Sequence, residues 1–147
     1  MQIAIINGPN LNLLGTREPT IYGDSTFEAF YKTLKERFPA IQFHYYQSNI
    51  EGELINELQR VGFDYDGILI NPGGYTHTSV ALGDCIASIT TPVIEVHISN
   101  IHSREAFRQI SHVSAKCRGT IAGLGLEGYA LGVLFFTHSF APDEKKI

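Results

Sequence analysis

Three stretches of this chain carry residue types that move protons and hold anions. The first is Asn7-Gly-Pro-Asn-Leu-Asn-Leu-Leu-Gly-Thr-Arg-Glu-Pro-Thr-Ile-Tyr-Gly23, which follows the apolar run Ile3–Ile6. A connection this long is unusual in a compact domain and is either functional or disordered. Its mixture of leucines, prolines and asparagines, without a charge run, argues against disorder. It places Arg17 five residues before Tyr22. Lowering a phenol from about 10 to about 7.5 requires about 3.4 kcal/mol, and one cation ~4 Å away at an effective dielectric of ~20 supplies about 4. The loop therefore reads as a catalytic lid carrying an activated tyrosine.

The second stretch is Asn71-Pro-Gly-Gly-Tyr-Thr-His-Thr-Ser79. Two glycines let the backbone approach a ligand, and Asn71 and His77 offer neutral hydrogen-bonding groups at either end. The same residues also read as a plain Gly-rich strand-to-helix turn capped by Thr78 or Ser79. Without a terminal Gly-Lys-Ser/Thr or a G-x-G-x-x-G spacing, the turn is not a phosphate cradle. The third stretch is Glu95-Val-His-Ile-Ser-Asn-Ile-His-Ser-Arg-Glu-Ala-Phe-Arg108. Glu95 and His97 alternate along a strand end and so share a face, where a carboxylate fixes the imidazole tautomer and raises its basicity. Ile98 and Ser99 fall where backbone N–H groups lie unpaired before a helix and can hold a carboxylate. Arg104 and Arg108 share a helical face at four-residue spacing, with Arg108 nearer the rim.

No His/Cys/Asp/Glu cluster has metal-ligand spacing, and Asp64 and Asp66 read as turn acids. No lysine lies in any of the three stretches, which disfavours an imine mechanism. Ser79 and Ser99 lack a nucleophile elbow. Cys85 and Cys117 read as buried, reduced thiols, with a Cys-His nucleophile as the less supported option. The inventory that remains needs no cofactor or metal: acid–base chemistry on a small, hydroxylated, anionic molecule.

Elements must bring these stretches together. After the strand Ile3–Ile6, Ser25-Thr-Phe-Glu28 reads as a capping box, with Asp24 as an alternative cap, opening a helix to about Phe38 with Phe27, Phe30, Tyr31, Leu34 and Phe38 as its apolar stripe. Strand two is Ile41–Gln47, and Asn49 caps a helix carrying Leu54, Ile55, Leu58 and Val61. Strand three is Ile68–Ile70. Helix three covers about Ser79–Ser88, with Val80, Ala81, Leu82, Ile86 and Ala87 available for packing. Strand four is Val93–Val96. A short helix around Arg104–Phe107, a strand near Thr120–Gly123 and a helix over about Glu127–Phe136 complete the chain. Strands alternating with helices imply a parallel five-stranded α/β sheet covered on both faces. All three polar stretches follow the carboxyl end of a strand, the rim where such sheets bind ligands.

At 147 residues the chain reads as one domain, residues 1–147. The balance of 11 Lys+Arg against 15 Asp+Glu, without a basic stripe, disfavours nucleic acid as a partner. No apolar run approaches the ~18 residues of a membrane span. The first residues read as a strand rather than a targeting segment, and the reduced thiols suit a cytoplasmic location.

The three stretches, with Asn49-Ile-Glu-Gly52 and Gly123-Leu-Gly-Leu-Glu-Gly-Tyr129, resemble type II 3-dehydroquinate dehydratase in the same order over almost the whole chain. The resemblance implies a flavodoxin-like three-layer sandwich, conversion of 3-dehydroquinate to 3-dehydroshikimate, and a homododecamer built as four trimers. It implies that Tyr22 is the base, that Arg17 stabilises its phenolate, and that Asn10 positions a water against the enolate oxygen. His97, supported by Glu95, protonates the departing hydroxyl. Asn71, His77 and Arg108 hold ring hydroxyls, Ile98 and Ser99 receive the carboxylate, and Asp84 reaches into a neighbouring subunit's site. Gly83 departs from the family, where many members carry a basic residue. The rival reading is a flavodoxin-like nucleotide or flavin-binding module, which the leucine-rich Asn7–Gly15 segment disfavours. A receiver-type signalling domain would need paired acids where this chain has asparagines.

Overall fold

A computed structural model describes residues 1–16 and 25–139. Five strands, β1 (Gln2–Asn7), β2 (Gln42–Gln47), β3 (Gly67–Asn71), β4 (Val93–His97) and β5 (Gly119–Ala122), form one sheet of order β2-β1-β3-β4-β5. Every neighbouring pair is parallel. The helices are α1 (Phe27–Arg37), α2 (Glu51–Val61), α3 (Val80–Ser88) and α4 (Glu127–Ser139). Alternation along the central strands sends side chains to opposite faces. Ile3, Ile5, Leu69, Ile94 and Val96 pack with Phe27 and Leu34 of α1 and Tyr129, Val133 and Phe136 of α4. Ala4, Ile6, Ile68, Ile70 and Val93 pack with Leu54, Leu58 and Val61 of α2 and Leu82 and Ile86 of α3. This is the expected three-layer sandwich, with apolar strands buried on both faces.

Several local expectations are corrected. Thr26, not Ser25, caps α1: its side chain accepts from Ala29 N at 3.2 Å. The alternative cap Asp24 lies outside the described residues. Asn49 does not cap α2; the cap position is Ile50, whose N–H is taken by Ser48 Oγ at 3.0 Å. On α3, Leu82, Cys85 and Ile86 face the core, whereas Val80, Ala81 and Ala87 are exposed. The helical turn there follows Ser79, which caps it by accepting from Leu82 N, and this rotates Val80 outward. The short helix expected at Arg104–Phe107 is instead two 3₁₀ turns, Ile101–Ser103 and Ala106–Gln109, separated by extended backbone at Arg104 and Glu105. Asn100 caps the first by accepting from His102 N.

Two glycines are fixed by close approach. A Cβ on Gly8 would stand 2.5 Å from the Pro72 carbonyl oxygen. Gly8 N donates to Asn71 O at 2.7 Å, so the loops after β1 and β3 are joined at the backbone. A Cβ on Gly83 would stand 2.3 Å from the His112 carbonyl oxygen. That segment cannot retreat freely, because His112 N donates to Thr76 O at 2.8 Å. The glycine therefore has a packing reason that offsets its low helix propensity. Gly83→Ala should gain about 1 kcal/mol of propensity and lose about 1–3 kcal/mol to overpacking. Urea denaturation should show a net destabilisation; an Ala variant more stable than wild type would mean that the His112 segment yields.

Candidate active site

The strand order reverses at β1, which has β2 on one side and β3 on the other. Beyond the carboxyl ends of the strands lies a cavity of about 140 Å³. The loop after β1 lines it with Pro9, Asn10 and Leu11, and the turn after β3 with Asn71, Gly73, Gly74 and His77. The segment after β4 adds His97, Ile98, Ser99, Ile101, Arg104 and Arg108. The three stretches thus converge on one rim. Arg17 and Tyr22 lie outside the described residues. Asp84 is exposed on α3 and does not line its own chain's cavity.

Glu95 and His97 point to one face of β4 and are both buried. His97 Nε2 lies 2.8 Å from Glu95 Oε1, which leaves Nδ1 as the nitrogen that can serve a ligand. The carboxylate also accepts from Thr76 Oγ1 at 2.5 Å, Thr120 Oγ1 at 3.4 Å and Ser111 Oγ at 3.5 Å. Burial alone would raise the Glu95 carboxyl. Hydrogen bonding and charge from His97, with the hydroxyls of Thr76 and Thr120, outweigh it and hold the group below its ordinary range.

Neighbouring polar groups have their roles set by their partners. His77 Nδ1 donates to Ile110 O at 2.7 Å in the neutral ring, so Nε2 is its acceptor. The His77 and His97 rings are nearly parallel at 6.4 Å between centroids. Under the cavity, Tyr129 Oη donates to Asn7 Oδ1 at 2.7 Å and accepts from Asn71 Nδ2 at 3.2 Å. Asn71 Oδ1 accepts from Gly73 N at 3.1 Å. Arg104 Nη1 donates to Ser99 Oγ at 3.3 Å, and Arg108 Nε to Glu105 Oε2 at 2.7 Å. Both arginines therefore reach the cavity despite the broken helix between them.

The plain reading of the Gly-rich turn is also satisfied in part. Its N–H groups at Gly73, Tyr75, Thr78 and Ser79 bond within the turn, which argues against a phosphate cradle. The cysteines do not fit a nucleophile: both are free, burial raises the Cys85 thiol, and burial with the charge of Glu95 pushes Cys117 up to about 12. Among the described residues no three His, Cys, Asp or Glu side chains are grouped to hold a metal. No described helix is long and apolar enough to cross a membrane. Sequence reasoning missed Thr76, Ser111 and Thr120 around Glu95 and Tyr129 under Asn71. They come from a turn, a loop, a strand and a helix that meet only in the folded chain, and they carry no spacing signal.

The family model for class II dehydroquinase matches residues 1–137. The chain belongs to the class II dehydroquinases. It is 49% identical over 141 residues to a 3-dehydroquinate dehydratase of Fusobacterium nucleatum, covering 92% of this chain and 95% of that one. It is 45% identical over 146 residues to a catabolic 3-dehydroquinase of Emericella nidulans, covering 98% and 95%. The crystal structure of a type II dehydroquinase from Butyrivibrio crossotus superposes with a TM-score of 0.89 at 45% identity, covering 93% of this chain and 97% of that one. The flavodoxin-like expectation and the family resemblance are both borne out.

In this dehydroquinase the depressed Glu95 carboxyl has a stability consequence. A folded-state value below the unfolded one contributes stability that is present above about 4.5 and lost as pH falls below it. Glu95→Gln should cost about 1–3 kcal/mol at neutral pH, because it leaves the His97 and Thr76 partners poorly matched. Denaturant unfolding over a pH series should show a flatter acid limb for the variant; a limb as steep as wild type would assign the slope to other carboxylates.

Proposed function

We propose that the protein removes water from 3-dehydroquinate to give 3-dehydroshikimate by anti elimination through an enolate. The observation that carries this reading is a buried, Glu95-held imidazole at the rim of a cavity lined by neutral hydrogen-bonding groups and two arginines. Tyr22, as a phenolate stabilised by Arg17, takes the proton alpha to the ketone, and the C–H electron pair becomes the enolate. Asn10 holds a water against the enolate oxygen. The enolate then collapses to form the conjugated double bond as the C–O bond breaks. His97 gives its proton to the departing hydroxyl, which leaves as water, and solvent returns the proton balance between Tyr22 and His97.

Binding uses the same rim. Asn71 presents its amide and His77 its Nε2 lone pair to ring hydroxyls, alongside Arg108. The Ile98 and Ser99 backbone N–H groups, with the Ser99 hydroxyl, take the carboxylate. The chemistry needs neither metal nor imine, a reading supported by the absence of lysine from the three rim stretches. The chain acts as a single catalytic domain, residues 1–147, in the cytoplasm, without nucleic acid or membrane partners. It assembles as a homododecamer of four trimers, in which the exposed Asp84 of one subunit completes the site of the next. Biosynthesis of aromatic compounds and breakdown of quinate both use this step, and the catabolic relative keeps both roles open.

Pure protein with 3-dehydroquinate should develop the absorbance of a conjugated enone; folded protein that yields none at neutral pH defeats the reading. Tyr22→Phe should lower kcat by roughly 10²–10⁴-fold with the fold retained, and retention of more than about a tenth of kcat would assign the base elsewhere. Borohydride added with substrate should leave activity intact and add no mass. A stable substrate adduct on a lysine would establish an imine route instead.

The shared site has its own test. After subunit exchange, verified by mass, mixtures of Tyr22→Phe and Asp84→Ala proteins should recover activity that neither has alone. Exchange without recovery would place Asp84 outside the neighbouring site.

A further inference from the structure

We infer that Asn49, which does not line the cavity, is a positioning residue that holds Asn10 in its working conformation; the inference rests on the dehydratase reading of the cavity. Asn10 has φ +70°, and among the described residues it is the only non-glycine residue with positive φ. This left-handed region disfavours L residues, though asparagine tolerates it better than most. Such conformations persist where the surroundings over-determine them.

The surroundings here are centred on Asn49. Its Oδ1 accepts from Asn10 N at 3.0 Å and from Gln47 Nε2 at 3.1 Å. Gln47 Nε2 also reaches Gly8 O at 3.2 Å, just upstream of Asn10. The Asn49 carbonyl in turn accepts from Tyr75 Oη, at 2.9 Å, in the turn after β3. One residue thus joins the loops that follow β1, β2 and β3. On the other side of Asn10, its carbonyl accepts from Leu13 N at 3.0 Å. Asn10 is held at both its N–H and its C=O, while its side chain lines the cavity.

The position of Asn49 beside the start of α2 would suit a helix cap, yet its oxygen is directed to the neighbouring loop and α2 starts without a side-chain cap bond. Loss of that acceptor frees the Asn10 N–H. Turning Asn10 into the right-handed basin would swing its side chain away from its present place at the cavity wall. The tie from Asn49 to Tyr75 is made by the main-chain carbonyl and survives substitution, whereas the side-chain oxygen holds Asn10, so the effect of losing the side chain should fall on turnover more than on binding.

The test compares Asn49→Ala, Asn49→Asp, Asn10→Ala and the Asn49→Ala/Asn10→Ala double variant on 3-dehydroquinate, with melting temperatures measured in parallel. Asn49→Ala should lower kcat roughly tenfold with KM changed less than about threefold. Asn49→Asp keeps the acceptor oxygen and should restore kcat to within about twofold of wild type. In the Asn10→Ala background the Asn49 substitution should have little further effect on kcat. A lowered melting temperature with unchanged kcat, or penalties that multiply in the double variant, would overturn the positioning role. Wild type inactive on 3-dehydroquinate would defeat the dehydratase reading alone. The positioning role would then be decided by a crystal structure of Asn49→Ala: Asn10 leaving positive φ supports it, and Asn10 remaining near +70° overturns it.

Discussion

The carboxylate of Glu95 is buried and charged, and the geometry of the rim depends on how that charge is satisfied. A lone buried carboxylate would cost several kcal/mol or take up a proton. Here it accepts from His97 on its own strand, Thr76 in the turn after β3, Thr120 on β5 and Ser111 beyond the second 3₁₀ turn. Four separate chain segments are therefore pulled to one point. Each partner orients a part of the cavity: His97 directly, and His77 through Thr76, its neighbour in the same turn. The anchored Ser111 region also includes Ile110 and His112, whose backbone groups meet His77 and Thr76. A substitution at Glu95 is for that reason a change to the shape of the whole rim and not only to one imidazole.

The direction of proton donation runs through the site in a similarly constrained way. Tyr129 has one hydroxyl proton and gives it to Asn7, so it must accept from Asn71. Asn71 in turn accepts from Gly73 N, so its amide cannot be flipped without losing two bonds. His77 spends its Nδ1 proton on Ile110. Donors and acceptors facing the cavity are thus assigned before any ligand arrives. The parallel sheet makes this economical, because β1, β3 and β4 end at one level and their loops meet without long excursions.

Much of this architecture was legible from the chain. The apolar runs Ile3–Ile6 and Ile68–Ile70 identify strands buried on both faces, and the period-2 spacing of Glu95 and His97 identifies a pair. Local capping was less legible: Ser25 and Thr26 are both competent cap types, and Thr26 is the one that accepts from Ala29 N. Asn49 shows the harder limit. Its residue type suits a cap, but a partner thirty-nine residues away takes its oxygen. Likewise nothing local to Gly83 explains its departure from the family pattern, because the contact that requires a glycine comes from the His112 carbonyl. Two 3₁₀ turns replace the expected helix because Arg104 and Glu105 between them are extended, which breaks the helical ladder.

The arginines of the rim illustrate how such partners order charged side chains at a cavity. Arg108 is held by Glu105 through Nε and lies over the Phe107 ring at 4.9 Å. Arg104 bonds Ser99 and lies 3.8 Å from the same Glu105 carboxylate. Long cationic side chains otherwise lose rotamer freedom when a ligand fixes them, at about 0.5–1.5 kcal/mol each. Here much of that ordering is already in place in the free protein. Among the described residues, the one carboxylate of Glu105 is set against two guanidiniums, a balance that is net positive. Glu105 is itself exposed, and solvent screens its pull on the arginines more than it would screen a charge within the cavity. The arrangement orders both cations without cancelling the positive field that they set up in the cavity.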